Sequence, residues 1–204
     1  RPYNWKDKYY NLSNNSENLE YNDLNNLLFK SSKISRSNLN DTFLLEENNF
    51  VSSDARDNLF IISKINNEKR LKFNFYKNRF KKIKKNLFKI VENNIIYVSD
   101  NIGYLYAFDY KKNKLIWAKN YSVPFRSNLK IINNKLICVN QNNELIIIDK
   151  RNGNALKIIP TEEVDLKNNF LSNISLDEQN IYFLNTFGSL YAIDNKNMKI
   201  KWFI

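Results

Sequence analysis

Leu105-Tyr-Ala-Phe-Asp109 decides the fold, because the chain repeats it as Leu59-Phe-Ile-Ile-Ser63, Leu145-Ile-Ile-Ile-Asp149 and Leu190-Tyr-Ala-Ile-Asp194. Each copy is a run of aliphatic and aromatic residues closed by a polar turn former, which reads as a strand entering a tight turn. The copies recur every ~40–46 residues, the range that four-stranded propeller blades produce.

Three more apolar runs accompany each copy. Residues 87–91, 95–99 and 115–118 surround 104–108, separated by Glu-Asn-Asn, Asp-Asn-Ile-Gly and Asp-Tyr-Lys-Lys-Asn-Lys. The quartet returns at 129–132, 136–139, 145–148 and 155–159, and again at 171–176, 181–184, 190–193 and 200–203. A weaker first copy lies at 43–45, 50–52, 59–62 and 71–75. Continuous apolar stretches such as Ile146-Ile147-Ile148 suit strands buried on both faces between neighbouring blades; a half-exposed sheet would alternate. The expected fold class is all-β, a β-propeller of four-stranded antiparallel blades over roughly 41–76, 87–121, 127–160 and 170–204. Residues 1–40 stand apart as a polar, Asn/Ser-rich segment with aromatics at Tyr3, Trp5, Tyr9 and Tyr10.

The 204 residues carry 38 asparagines against three glycines, so Asn is expected to do the turn work that Gly does elsewhere. Net charge is +11, which favours contact with anionic surfaces. The single Cys138 forms no internal disulfide, and its setting in Leu136-Ile-Cys-Val139 makes it a small core residue. No apolar run approaches the ~18 residues of a membrane-spanning helix. Arg1 rather than Met opens the chain, so a removed leader or a fragment is expected.

Asp109 is followed eight residues later by Trp117, and Asp194 by Trp202. This frame, L-Y-A-[FI]-D-x-K-x-x-K-[LI]-x-W with Gly103 or Gly188 two residues before it, resembles the repeat of PQQ-like β-propellers. The third copy departs from it with Lys157 in place of Trp; the first has Ser63 in place of Asp and Leu71 in place of Trp. Asn4-Trp5 and the stretch around Asn14, with Val123-Pro-Phe-Arg-Ser127, resemble the BamB-like propellers of outer-membrane assembly more narrowly. Those rings carry about eight blades of roughly 45 residues each, so the resemblance implies that this chain supplies about half a ring. The free edges would then need a further segment or a second chain. Leu24, Leu27, Leu28 and Phe29 suit either a short amphipathic helix or a strand; the family's closing strand favours a strand over 27–34.

Candidate chemistry is sparse. The chain has no His, hence no Ser–His or Cys–His pair and no His general base, and one Cys cannot build a thiolate zinc site. Asp109, Asp149 and Asp194 occupy equivalent places in successive repeats and are expected to cap turns, while Trp117 and Trp202 are expected to close outer strands. Quinoprotein dehydrogenases share the repeat, yet a single Cys excludes their vicinal Cys pair, so no cofactor or metal is expected. The basic run 77–89, with Lys77, Arg79, Lys81, Lys82, Lys84 and Lys85, is a candidate for an anionic surface or simply a solvated connection. No nucleic-acid-binding motif accompanies it, so no specific nucleic acid is expected. Glu162, Glu163 and Asp165 form the acidic cluster of a long loop, a candidate partner contact. The resemblance implies a non-enzymatic, periplasmic, outer-membrane-associated scaffold that binds a protein, such as a component of barrel assembly. A PQQ-dependent oxidoreductase and a lumenal or periplasmic sensor domain of a larger membrane protein are the alternatives.

Overall fold

The computed structural model describes residues 4–15, 27, 29–40, 42–66, 68–76, 80, 82–163 and 170–204. Among them sixteen strands form four antiparallel sheets and no α-helix occurs. Blade one holds β1 (Leu44–Glu46), β2 (Asn49–Ser53), β3 (Leu59–Ser63) and β4 (Lys69–Phe73). Blade two holds β5 (Leu87–Glu92), β6 (Ile95–Asp100), β7 (Tyr104–Asp109) and β8 (Lys114–Asn120). Blade three holds β9 (Lys130–Ile132), β10 (Lys135–Val139), β11 (Leu145–Asp149) and β12 (Ala155–Ile159). Blade four holds β13 (Asn173–Leu176), β14 (Asn180–Leu184), β15 (Leu190–Asp194) and β16 (Ile200–Phe203). Within every blade the strands lie in sequence order, which makes the architecture a propeller arc of meandering sheets.

The repeat is exact enough in register to show which residues it uses. Between the third and fourth strands the ladder shifts at one place in all four blades: Ile61/Ile62, Ala107/Phe108, Ile147/Ile148 and Ala192/Ile193. A bulge there bends the outer strand and increases its twist. The residue opposite the last unshifted pair is Trp117 or Trp202 where its partner is Ala107 or Ala192, and Leu71 or Lys157 where the partner is Ile61 or Ile147. A small side chain on the third strand makes room for the indole ring beside it.

A second repeat, hidden by the exchange of Asp for Asn, closes the turn after the second strand. Asp54, Asp100, Asn140 and Asn185 each accept from the backbone N–H groups two and four residues on, through one side-chain oxygen. These are Asx turns, in which the side chain takes the place of backbone partners. Asp109, Asp149 and Asp194 accept from turn amides after the third strand. Ser63, at the same place in blade one, has a buried hydroxyl without a partner. Several turns need a left-handed residue, supplied by Asn93, Asn94, Asn113, Asn133 and Asn143 as well as by glycine.

The core is a series of interfaces between blades. One cluster joins blades one and two through Leu44, Val51, Ile61, Val98 and Phe108. A second joins blades two and three through Tyr97, Trp117, Leu136, Cys138 and Ile148; a third joins blades three and four through Ile137, Ile147, Phe183 and Tyr191. Among the described residues no such cluster joins blade four to blade one.

The N-terminal segment differs from its expected form. Residues 27 and 29–34 lie in no strand, and Leu28 falls outside the described residues. Phe29 packs on Phe50 at 4.9 Å between ring centroids, Ser35 donates to Asp54 (2.6 Å), and Leu39 forms an isolated bridge with Asp54. Side-chain anchoring replaces a ladder there, and Phe60 and Ile62 on the same face of blade one are buried.

Candidate functional site

Two features of the arc are exposed or built for contact: the outer face of blade four and the axial line along the first strands. On blade two, cross-strand neighbours Ile90, Tyr97, Ala107 and Trp117 make one row across the sheet; on blade four the same row is Ser175, Tyr182, Ala192 and Trp202. The Tyr97 and Trp117 rings lie 6.1 Å apart at 46°, and Tyr182 and Trp202 lie 6.3 Å apart at 46°. The local structure is thus the same, and the surroundings are opposite.

Trp117 is 9% exposed because blade three covers it. Its Nε1–H donates to the carbonyl of Lys150 (3.0 Å), and Tyr121 donates to the carbonyl of Gly153 (2.9 Å). Gly153 has φ +72°, and a Cβ there would stand 2.6 Å from the Trp117 ring. Glycine therefore satisfies the turn and gives the indole its seat. The Lys150–Glu92 ion pair (2.5 Å) adds a polar link across the same interface.

Trp202 is 44% exposed and Leu184, beside it on blade four, is 42% exposed. Trp202 is thus the same repeat residue without the cover that Trp117 has. Its strand closes in the same way, but no described residue supplies the covering surface. Tyr182 keeps its hydroxyl satisfied by donating to Asp177 (2.8 Å). An aromatic pair over a small residue, with Leu184 opposite Leu190, makes an apolar sheet face of the kind that blades bury.

The axial line is occupied by residues 4–15. Trp5 exchanges backbone hydrogen bonds with Leu45 on β1, both 2.8 Å. Val91 on β5 donates to the carbonyl of Lys6 (2.9 Å), and Leu176 on β13 donates to that of Leu12 (2.8 Å). Between them Lys130 on β9, fully buried, pairs with Asp7 at 2.7 Å and donates to the carbonyl of Asn11. Asn14 donates to Ile174 and to Asn173. One short segment therefore crosses the first strand of every blade. Burial pushes the Lys130 ammonium down, and Asp7 opposes that shift.

The basic run divides. Lys77, Arg79 and Lys81 lie outside the described residues, as does Asp165 of the acidic loop. Lys82 and Lys84 are exposed. Lys85 is corrected from a surface contact to an internal staple: its side chain is fully buried, pairs with Asp57 at 2.7 Å, and donates to the carbonyls of Phe80 and Ile83. Glu162 accepts from Asn185 (2.6 Å) and Ser189 (3.0 Å), which ties the long loop to blade four; Glu163 is exposed. Among the described residues no group of three His, Cys, Asp or Glu side chains converges to hold a metal ion. Cys138 is buried, which pushes its thiol well above the ordinary range.

The sequence reading missed the axial segment, which left one signal, a Trp and an Asp in a polar terminus.

Known proteins share this arrangement. The family model described as outer membrane protein assembly factor BamB matches residues 61–203. The crystal structure of BamB from Moraxella catarrhalis superposes with TM-score 0.62 at 10% identity, over 76% of this chain and 49% of that one. The chain thus spans about half the length of that relative. The computationally designed protein Ika4 superposes with TM-score 0.65 at 9% identity, over 84% of this chain and 99% of that one. For the designed Ika8 the values are 0.64 and 9%, over 83% and 50%. No curated protein matches the chain in sequence.

Proposed function

The chain belongs to the family of the outer membrane protein assembly factor BamB, and from that premise we propose that it is a non-enzymatic periplasmic scaffold that holds another polypeptide during outer-membrane β-barrel assembly. The observation that carries this reading is the arc of four meandering blades, which the family model matches over residues 61–203. The exposed end of the loop at Glu163 and the tied Glu162 lie near blade four and give the contact a polar rim.

A scaffold needs no acid–base machinery, and the side chains agree with that. There is no histidine, and Asp109, Asp149 and Asp194 serve three separate turns. The test is a titration of the full-length protein with a purified, detergent-solubilised barrel-assembly component. Binding is expected, and Glu163→Lys should weaken it by reversing an exposed charge of the loop tied to blade four. Absence of binding would reject the reading.

A further inference from the structure

Along blade one, away from the open face and the axial segment, two adjoining cavities of 430 Å³ and 510 Å³ share the wall made by Arg56, Asn58 and Lys72. The first is also lined by Lys33 and Arg36, the second by Lys82 and Lys84. Among the described residues none of these six bases forms an ion pair or a side-chain hydrogen bond. The acids of the cleft are already committed. Asp54 is 1% exposed; burial would raise its carboxyl, but hydrogen bonds from Ser35, Asn58 and the backbone of Asn58 and Arg56 outweigh it and hold it below the ordinary value. Asp57 is neutralised by Lys85.

The cleft is also held in shape. Arg56 sits in the turn that Asp54 clamps through its backbone N–H (2.9 Å), and Asn74 donates to the carbonyl of Arg56 (3.1 Å). The buried Lys85 fastens Phe80 and Ile83 by donating to their carbonyls, with its ammonium 4.6 Å from the Tyr76 ring centroid. Lys82 and Lys84 therefore project from a pinned loop. Ser35 and Ser37 line the first cavity and add hydroxyl groups to the two arginines. Arginine forks, hydroxyls and lysines around a cavity of this size are the donor set for phosphoryl oxygens.

We propose that this cleft is a binding site for a ligand carrying two phosphoryl groups, one seated by Lys33, Arg36 and Arg56 and the other by Lys72, Lys82 and Lys84. The ligand is a diphosphate or bisphosphate, from a lipid headgroup or from a soluble molecule. Its two charged groups match the two cavities, and Arg56 at the shared wall reaches either.

The experiment titrates pyrophosphate into the full-length protein by calorimetry, beside sedimentation with vesicles of phosphatidylcholine containing cardiolipin, which carries two phosphoryl groups, and with phosphatidylcholine vesicles. Arg56→Ala and Lys72→Ala should each weaken binding by about tenfold, since each loses a charge-assisted contact. Lys114→Ala, on exposed β8, should leave binding unchanged, and melting temperatures confirm that all three variants fold. Pyrophosphate binding lost in the Arg56 and Lys72 variants supports a soluble phosphate. Sedimentation with the cardiolipin vesicles alone, lost in the same variants, supports a headgroup. No binding of either kind, equal losses with Lys114→Ala, or tighter binding of a glutamate decapeptide overturns the proposal.

Discussion

Trp117 and Trp202 make one side-chain conformation serve two environments, and the difference is measurable as stability. Trp117→Ala should cost about 3–5 kcal/mol, because a large aromatic leaves a buried seat formed by Gly153 and the Lys150 carbonyl. Trp202→Ala should cost no more than about 1–2 kcal/mol, since much of that ring already faces solvent. Urea unfolding of both variants checks this, and equal costs would mean that Trp202 is covered in solution. Lys89 supplies a second residue-scale prediction. It is 4% exposed, its ammonium donates to Ser53 (2.7 Å), and burial pushes it down to about 8 from an ordinary 10.5. The unfolded chain holds that proton more tightly, so stability rises as pH climbs from about 8 towards 10.5, and the buried charge is a cost below that window. Lys89→Met should therefore stabilise the protein at pH 7 by roughly 2–3 kcal/mol, with the advantage shrinking towards pH 10. Melting both proteins at pH 7 and pH 10 decides it; a constant gap would refute the burial argument.

At the scale of elements, the strand pattern was legible because each third strand ends on the same apolar-then-polar sequence, and propeller strands run continuously apolar where two blades cover them. The turn clamp after the second strand was not legible, since Asp54, Asp100, Asn140 and Asn185 share an acceptor oxygen rather than a residue type. The closing strand expected over 27–34 failed for a related reason. Phe29 and Ser35 find side-chain partners on blade one in place of a strand ladder. The axial segment is the element on which all four first strands depend. Asp7→Ala would leave the buried Lys130 cation unpaired and should cost about 3–5 kcal/mol. Amide hydrogen exchange should also accelerate at Val91 and Leu176, whose N–H groups donate to the segment. An unchanged unfolding midpoint with protected amides would show that the segment is not bound along the axis in solution.

For the whole molecule, a propeller arc with no histidine and no second cysteine is expected to lack quinone chemistry. Mixing the full-length protein with PQQ and Ca²⁺ should give no stoichiometric quinone absorbance and no dye reduction with alcohols; turnover there would overturn the scaffold reading. The sequence alone determined the four-blade count, the strand order within a blade and the role of Asn in the turns. All of these follow from local patterns of polarity and backbone preference, repeated at a fixed period. Tertiary structure alone decided that the Tyr97–Trp117 pair is sealed by the Lys150 carbonyl and Gly153 of the next blade. It also decided that Lys85 is a staple while Lys82 and Lys84 are exposed, and that a polar terminus binds the axis. Burial depends on what is packed against a residue, and that neighbour lies about forty residues away in the chain or is supplied by another surface altogether.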